Sequence, residues 1–365
     1  MYVLCYPGWR RPKLVYMQGA AFSIYPVKKT SEKINEKEEK FMKLRKISSL
    51  FMVAALVVTI LGGCGSEKEE SGSKEGKSAD KETLTIGITV QDLSNEFVAN
   101  EKTVIMDLLE TDEYSNVEVQ FLDGANDSAK QIQQMESFMN QKVDAIICNC
   151  VESTALAPSV EQAIDAGIPV VCMGTDVDQQ YGQVWIGSPD EPGAEQAMQY
   201  AIDNTSESAN IAIMRGVIGH HAEMLRSEGY EAVLKKYPDV KIVFDQSANY
   251  SRDEGMQLME TWLQSGTKID AVVCQNDEMA LGAAAAVDAA GLSGKMVITG
   301  IDGVADALTN IKDGIMSCTL YQPGDKLATT ALEYAVAMAH GEKKEETTFP
   351  QELVTQENVD DYISK

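Results

Sequence analysis

From Leu84 onward the chain alternates short apolar runs with longer amphipathic stretches. The runs cover 84–90 (LTIGITV), 117–122 (VEVQFL), 143–148 (VDAIIC), 168–173 (IPVVCM), 210–214 (NIAIM), 240–244 (VKIVF), 269–274 (IDAVVC), 296–301 (MVITGI) and 315–320 (IMSCTL). Near-continuous runs of this length, rich in Val and Ile, predict parallel strands buried on both faces. Between them Ile132, Met135, Phe138 and Met139 repeat at helical spacing, as do Met256, Met259, Trp262 and Leu263. This alternation predicts βαβ units and a doubly wound α/β fold.

The pattern also repeats. Lys142 to Cys148 (KVDAIIC) recurs as Lys268 to Cys274 (KIDAVVC), 126 residues on, and Ile168 to Met173 recurs as Met296 to Ile301. Two copies of one α/β unit predict two similar lobes with a cleft between them. Open α/β sheets place ligands at the carboxyl ends of their strands, so those ends carry the candidate chemistry.

The front of the chain reads differently. Lys43, Arg45 and Lys46 precede an apolar run, Leu50 to Leu61, interrupted only by Thr59 and followed at once by Gly62-Gly63-Cys64. The run is shorter than the ~20 residues that span hydrocarbon, and its flanks are those of a signal peptide. Leu61 to Cys64 resembles a bacterial lipobox, which makes Cys64 the acylated N-terminus of the mature protein. A short buried helix ending in Gly-Gly-Cys is the competing reading. Met42 stands where a start is expected, so 1–41 reads as an upstream extension, 42–63 as the signal peptide and 64–83 as a lipidated, polar, flexible tether.

Composition narrows the class. The 365 residues are 44% hydrophobic and 24% charged, ordinary for a globular chain long enough for two domains. The net charge of −25 divides into +7 over residues 1–63 and −32 over the rest. A body this acidic repels phosphate backbones, so no nucleic-acid partner is expected. Cys148, Cys150, Cys172, Cys274 and Cys318 lie in or beside apolar runs without CxxC spacing. An odd set of this kind favours buried free thiols over a zinc site or a disulfide framework.

Strand ends carry Gln91 to Phe97 (QDLSNEF), Cys148-Asn149-Cys150, Arg215 to Arg226, Ala248-Asn249-Tyr250, Gln275-Asn276-Asp277, Gly300 to Gly303 (GIDG) and Leu320 to Pro323. Amides, carboxylates, Arg and aromatics suit a neutral polyhydroxyl ligand, because each hydroxyl both donates and accepts. Phe97 and Tyr250 offer faces to the C–H side of a sugar ring. No GxGxxG after a strand, P-loop, HExxH or GxSxG is present, and only three His leave little general-base chemistry, so no enzyme is expected.

Residues 84–365 resemble the periplasmic sugar-binding proteins of ABC importers, of the ribose- and glucose/galactose-binding type. Ile269 to Gly282 (IDAVVCQNDEMALG), Ile168 to Val171 and Gly300 to Gly303 carry the resemblance most specifically. It implies a type I periplasmic binding protein fold: two doubly wound parallel-sheet lobes joined by three crossing segments. The lobes would be 84–187 with 323–346, and 188–322 with 347–365. It implies Asn95, Phe97, Asn149, His220, Arg226, Tyr250, Asn276, Asp302 and Gln322 as ligand contacts, the first three capturing the ligand and the C-lobe residues favouring closure. Sugar-responsive repressors share this fold, but their basic N-terminal helix-turn-helix has no counterpart here.

The chain departs from the family at Gly174-Thr175, where ribose binders carry Asp-Arg, and at Ala222, where galactose binders carry Asp. It also lacks their calcium loop near Asp203 to Ala209, so no metal and no cofactor is expected. A pentose, a hexose and a cyclitol all stay open as ligands. The implied partners are the ABC permease and, through the lipid, the outer face of the membrane, with the protein itself a monomer. A sensor presenting ligand to a chemoreceptor or histidine kinase is the alternative. Asn276, Asp277 and Asp302 each precede a helix and also fit as caps; Asp277 is read as the cap and the other two as contacts. Arg226 also fits a surface helix charge, Tyr250 a core position, and His221 the role given to His220.

Overall fold

The computed structural model describes residues 83–363. The extension, signal peptide, Cys64 and nearly all of the tether lie outside the described residues. The body is built from two six-stranded sheets, ordered β11-β5-β4-β3-β1-β2 and β12-β10-β9-β8-β6-β7.

In the first sheet β1 (Leu84–Val90) runs between β2 (Val117–Asp123) and β3 (Ala145–Cys148), followed by β4 (Val170–Met173), β5 (Val184–Gly187) and β11 (Thr347–Thr348). In the second, β6 (Asn210–Arg215) runs between β7 (Lys241–Ser247) and β8 (Ala271–Cys274), followed by β9 (Val297–Asp302), β10 (Cys318–Tyr321) and β12 (Glu352–Thr355). All pairs are parallel except β10 with β12. The two orders correspond strand for strand, and the repeated sequences fall on β3 and β8, then on β4 and β9.

All nine apolar runs contain a strand. The sheet edges depart from the expectation of strands buried on both faces. The outer strands have no buried residue, β2 being half-buried and β7 mostly exposed, as edge strands with a neighbour on one side alone. Three short strands, β5, β11 and β12, are not signalled by any run.

Ten α-helices follow among the described residues: α1 (Glu96–Leu109), α2 (Ser128–Gln141), α3 (Ser153–Asp165), α4 (Asp190–Asp203), α5 (His221–Leu234), α6 (Arg252–Gln264), α7 (Asp277–Ala289), α8 (Ala305–Lys312), α9 (Gly324–Ala339) and α10 (Asp360–Ile363). Their starts are set locally, with Asp127 capping α2 and Ser251 capping α6 through side-chain oxygens. Met135 and Phe138 of α2, and Met259 and Trp262 of α6, are buried against their sheets as the spacing predicts.

The chain crosses between sheets at 188–189, 322–323 and 349–351, since α4 packs on the second sheet and α9 returns to the first. Thr347 and Thr348 pair with Ile186 and Gly187 in the first sheet. The last crossing therefore comes after Thr348, a correction to the boundary expected at 346/347. Phe97 packs against the hydrophobic cores of both lobes. All five body cysteines are buried and unbridged, and Cys148 Sγ lies 3.3 Å from Cys150 Sγ.

Candidate functional site

The carboxyl ends of the two sheets converge on a cavity of about 60 Å³. Asn95, Phe97, Asn149, His220, Arg226, Tyr250, Asn276, Asp302 and Gln322 all line it, so the structure brings together all nine residues named as ligand contacts. The departure positions Gly174, Thr175 and Ala222 line it as well, and so do Gln91, Val98 and Asp190.

On the first lobe, Asn95 caps α1: its Oδ1 accepts from the N–H groups of Phe97 (2.9 Å) and Val98 (3.4 Å). Phe97 thereby stands in the first turn of the helix. Gln131 of α2 clamps the loop after β3, donating from Nε2 to the Asn149 carbonyl (2.7 Å) and accepting from the Val151 N–H (2.8 Å). The clamp fixes Asn149, whose side-chain Oδ1 is buried without a protein partner.

On the second lobe, Arg226 is 5% exposed. Its Nε donates to Asp190 Oδ1 at 2.7 Å, and Nη1 donates to the Gln275 carbonyl. Burial opposes its charge, but Asp190 more than offsets this and keeps the guanidinium ionised. The reading of Arg226 as a surface charge is thus excluded. Asp190 is the cavity-lining partner of Arg226 that sequence reasoning missed. Its only signal was its place directly after the first crossing, Ser188-Pro189.

Tyr250 reaches the cavity through unusual backbone. Asn249 and Tyr250 both adopt the left-handed conformation (φ 52° and 60°), which costs energy for residues with side chains. The Tyr250 ring lies over Gly216, where a Cβ would fall 2.0 Å from the ring. Tyr250 Oη sits 3.3 Å from His220 Nδ1, the rings meeting edge-on at 5.3 Å between centroids. Burial, then Arg226 and His221, push the His220 pKa down to about 3, so the imidazole is neutral. Its Nε2 is buried without a partner. His221 points elsewhere: its Nδ1 accepts from the Asp176 N–H across the lobes at 3.4 Å.

Two expectations about caps change. Asn276, not Asp277, caps α7, accepting from the Met279 N–H at 3.0 Å. Asp277 instead accepts from the N–H groups of Gly303 (2.7 Å) and Val304 (3.1 Å) and from the Thr319 hydroxyl (2.7 Å). It ties α7 to the loop after β9, and burial raises its pKa to about 6. That loop places Asp302, with φ 134°, beside the cavity, where Gln322 Nε2 donates to its Oδ1 at 2.9 Å. Burial pushes the Asp302 carboxyl well up, against the pull of Arg226. The cavity therefore holds one cation, already neutralised by Asp190, and a set of amide, hydroxyl, imidazole and carboxyl groups.

The sequence profile described as a periplasmic binding protein domain matches residues 86–343. This chain is a member of the periplasmic binding protein family. Among its relatives, a xylitol-binding protein of Mycolicibacterium smegmatis is 35% identical, over 78% of this chain and 80% of that one. The ribose import binding protein of Bacillus subtilis is 32% identical, over 84% of this chain and 98% of its own. Among solved structures, an ABC transporter solute binding protein of Bacillus halodurans with bound myo-inositol superposes with a TM-score of 0.74 and 35% identity, covering 79% of this chain and 99% of that one. In this periplasmic binding protein the two α/β lobes are those of the type I fold.

Proposed function

We propose that the protein is an exported lipoprotein receptor that encloses one monosaccharide-like polyol between its lobes and delivers it, without catalysis, to an ABC importer. One observation carries the reading: each lobe presents a buried polar atom with no protein partner to the same cavity, Asn149 Oδ1 from the first and His220 Nε2 from the second. Leaving such groups unpaired costs about 1–3 kcal/mol each, and a ligand hydroxyl satisfies either. A single polyol touching both groups binds the closed arrangement better than the open one. That difference in affinity is all a ligand needs to shift the hinge.

The ligand is neutral, because Arg226 is spent on Asp190 and the imidazole carries no charge. Xylitol, ribose and myo-inositol, the ligands named for its relatives, fit that description. Asn95, Phe97 and Asn149 form the surface of first capture; Arg226, Tyr250, Asn276 and Asp302 complete the closed site, and Gln322 joins it at the second crossing. Attachment through Cys64, the 64–83 tether and delivery to permease subunits complete the proposal.

Titration calorimetry of the purified protein against pentoses, pentitols, hexoses, inositols and nucleosides tests it. The expected result is one-site binding of one polyol at micromolar affinity or tighter, with no turnover. Silence across the neutral panel, or tighter binding of a sugar acid or phosphate, overturns it.

A further inference from the structure

A wider cleft of about 820 Å³ opens outside the inner cavity, between Glu96 on the first lobe and Arg252, Glu278 and Asp306 on the second. Neither Glu96 nor Arg252 lines the inner cavity. Arg252 grips Glu278 through two hydrogen bonds (2.7 and 3.1 Å) and Asp306 through a third (2.8 Å), all within its own lobe. Across the cleft a third carboxylate, Glu96, lies 3.5 Å from the same guanidinium. Three acids then share one base. The guanidinium is committed to its two nearer partners, and Glu96 meets their negative charge along with Arg252's positive one.

We propose that Glu96 is an electrostatic spring: its carboxylate opposes closure, lowering affinity equally for every ligand and speeding release. This rests on the reading of the protein as a receptor that closes on its ligand. Burial, with Asp306 and Glu278, pushes the Glu96 carboxyl above its ordinary value despite Arg252 and the Ala305 N–H pulling it down. Glu96 is the first residue of α1, directly after the cap Asn95 that lines the cavity, so the spring acts on the helix that carries the first-lobe contacts. Its place at the solvated mouth makes the repulsion sensitive to salt.

Glu96→Gln keeps the shape and removes the charge. For a neutral polyol it should tighten binding about two- to fivefold, the size expected for an exposed charge interaction. The gain should appear as slower dissociation, with the rank order of ligands unchanged. Added salt should tighten binding by wild type and leave Glu96→Gln unmoved. Asp253→Asn, at an exposed carboxylate of the same cleft, should behave as wild type. Weaker binding by Glu96→Gln overturns the proposal and makes the pair a latch; a changed ligand order overturns it too. Should wild type bind no polyol, the receptor reading fails separately. The spring is then read from the interlobe distance in ligand-free protein by a fluorescent donor–acceptor pair. A shorter distance in Glu96→Gln supports it, and an equal or longer one refutes it.

Discussion

Arg226 on α5 and Asp190 at the start of α4 form an ion pair at 2.7 Å in which both side chains are buried. The pair joins the interlobe cavity to the first crossing between lobes, so one contact touches both. Breaking a buried pair from one side leaves an uncompensated charge, at about 3–5 kcal/mol. Arg226→Met should lose about that much stability in urea unfolding and lose ligand binding. The double variant with Asp190→Leu should regain most of the stability and none of the binding. Recovery of binding by the double variant would show that the guanidinium touches no ligand.

His220 sets a pH dependence whose sign is fixed by its burial. Its folded pKa is about 3 against an ordinary 6.5, so between those values the unfolded or opened chain binds more protons. The stability it contributes is whole above pH 6.5 and falls as the pH drops through that window. At pH 5 the loss is about 2 kcal/mol. Urea unfolding at pH 7 and pH 5 should differ by about that much less in His220→Asn than in wild type.

Gly216 is required by the Tyr250 ring. A Cβ there falls 2.0 Å from the ring carbon, and the left-handed backbone of Tyr250 leaves the ring no easy retreat. Gly216→Ala should cost about 1–3 kcal/mol through overpacking. In calorimetry its affinity should fall by more than about tenfold, since Tyr250 lines the cavity. Unchanged affinity would mean that the ring is not a ligand contact.

The five body thiols are fully enclosed, and burial raises the Cys274 and Cys318 thiols above their ordinary value. Thiolate, not thiol, reacts. A thiol-reactive chromophore should therefore label none of Cys148, Cys150, Cys172, Cys274 and Cys318 in the native protein and all five after denaturation. Labelling of any of them in the native fold would show an opening that the packing does not provide.

Much of this was legible because it is local. Period-two and period-3.6 patterns act within a dozen residues, so nine strands and the main helix faces showed in the chain, and the 126-residue repeat disclosed two lobes. The nine residues that line the cavity showed through the resemblance and because they stand at strand ends or in the segments that follow them, and strand ends in this topology point one way. The Asn276–Asp277 assignment failed for the converse reason. Either side chain suits a cap, and only the approach of Gly303, Val304 and Thr319 decides which one turns inward.

The alternation of strand and helix, the duplication, and which polar groups stand at the carboxyl ends are all readable in the chain, since they follow from side-chain chemistry and short-range periodicity. The rest came from contacts between distant segments. The two-residue β11 and the four-residue β5 and β12 exist because a neighbouring strand supplies their hydrogen bonds, not because their residues demand extension. Asp190 comes to line the cavity beside Arg226 because a helix more than thirty positions away lays that guanidinium against it. Asn149 and His220 come to face one cavity, and Glu96 comes to crowd Arg252, only when the lobes meet. Pairings between distant segments depend on where folding brings them, and no local pattern encodes that.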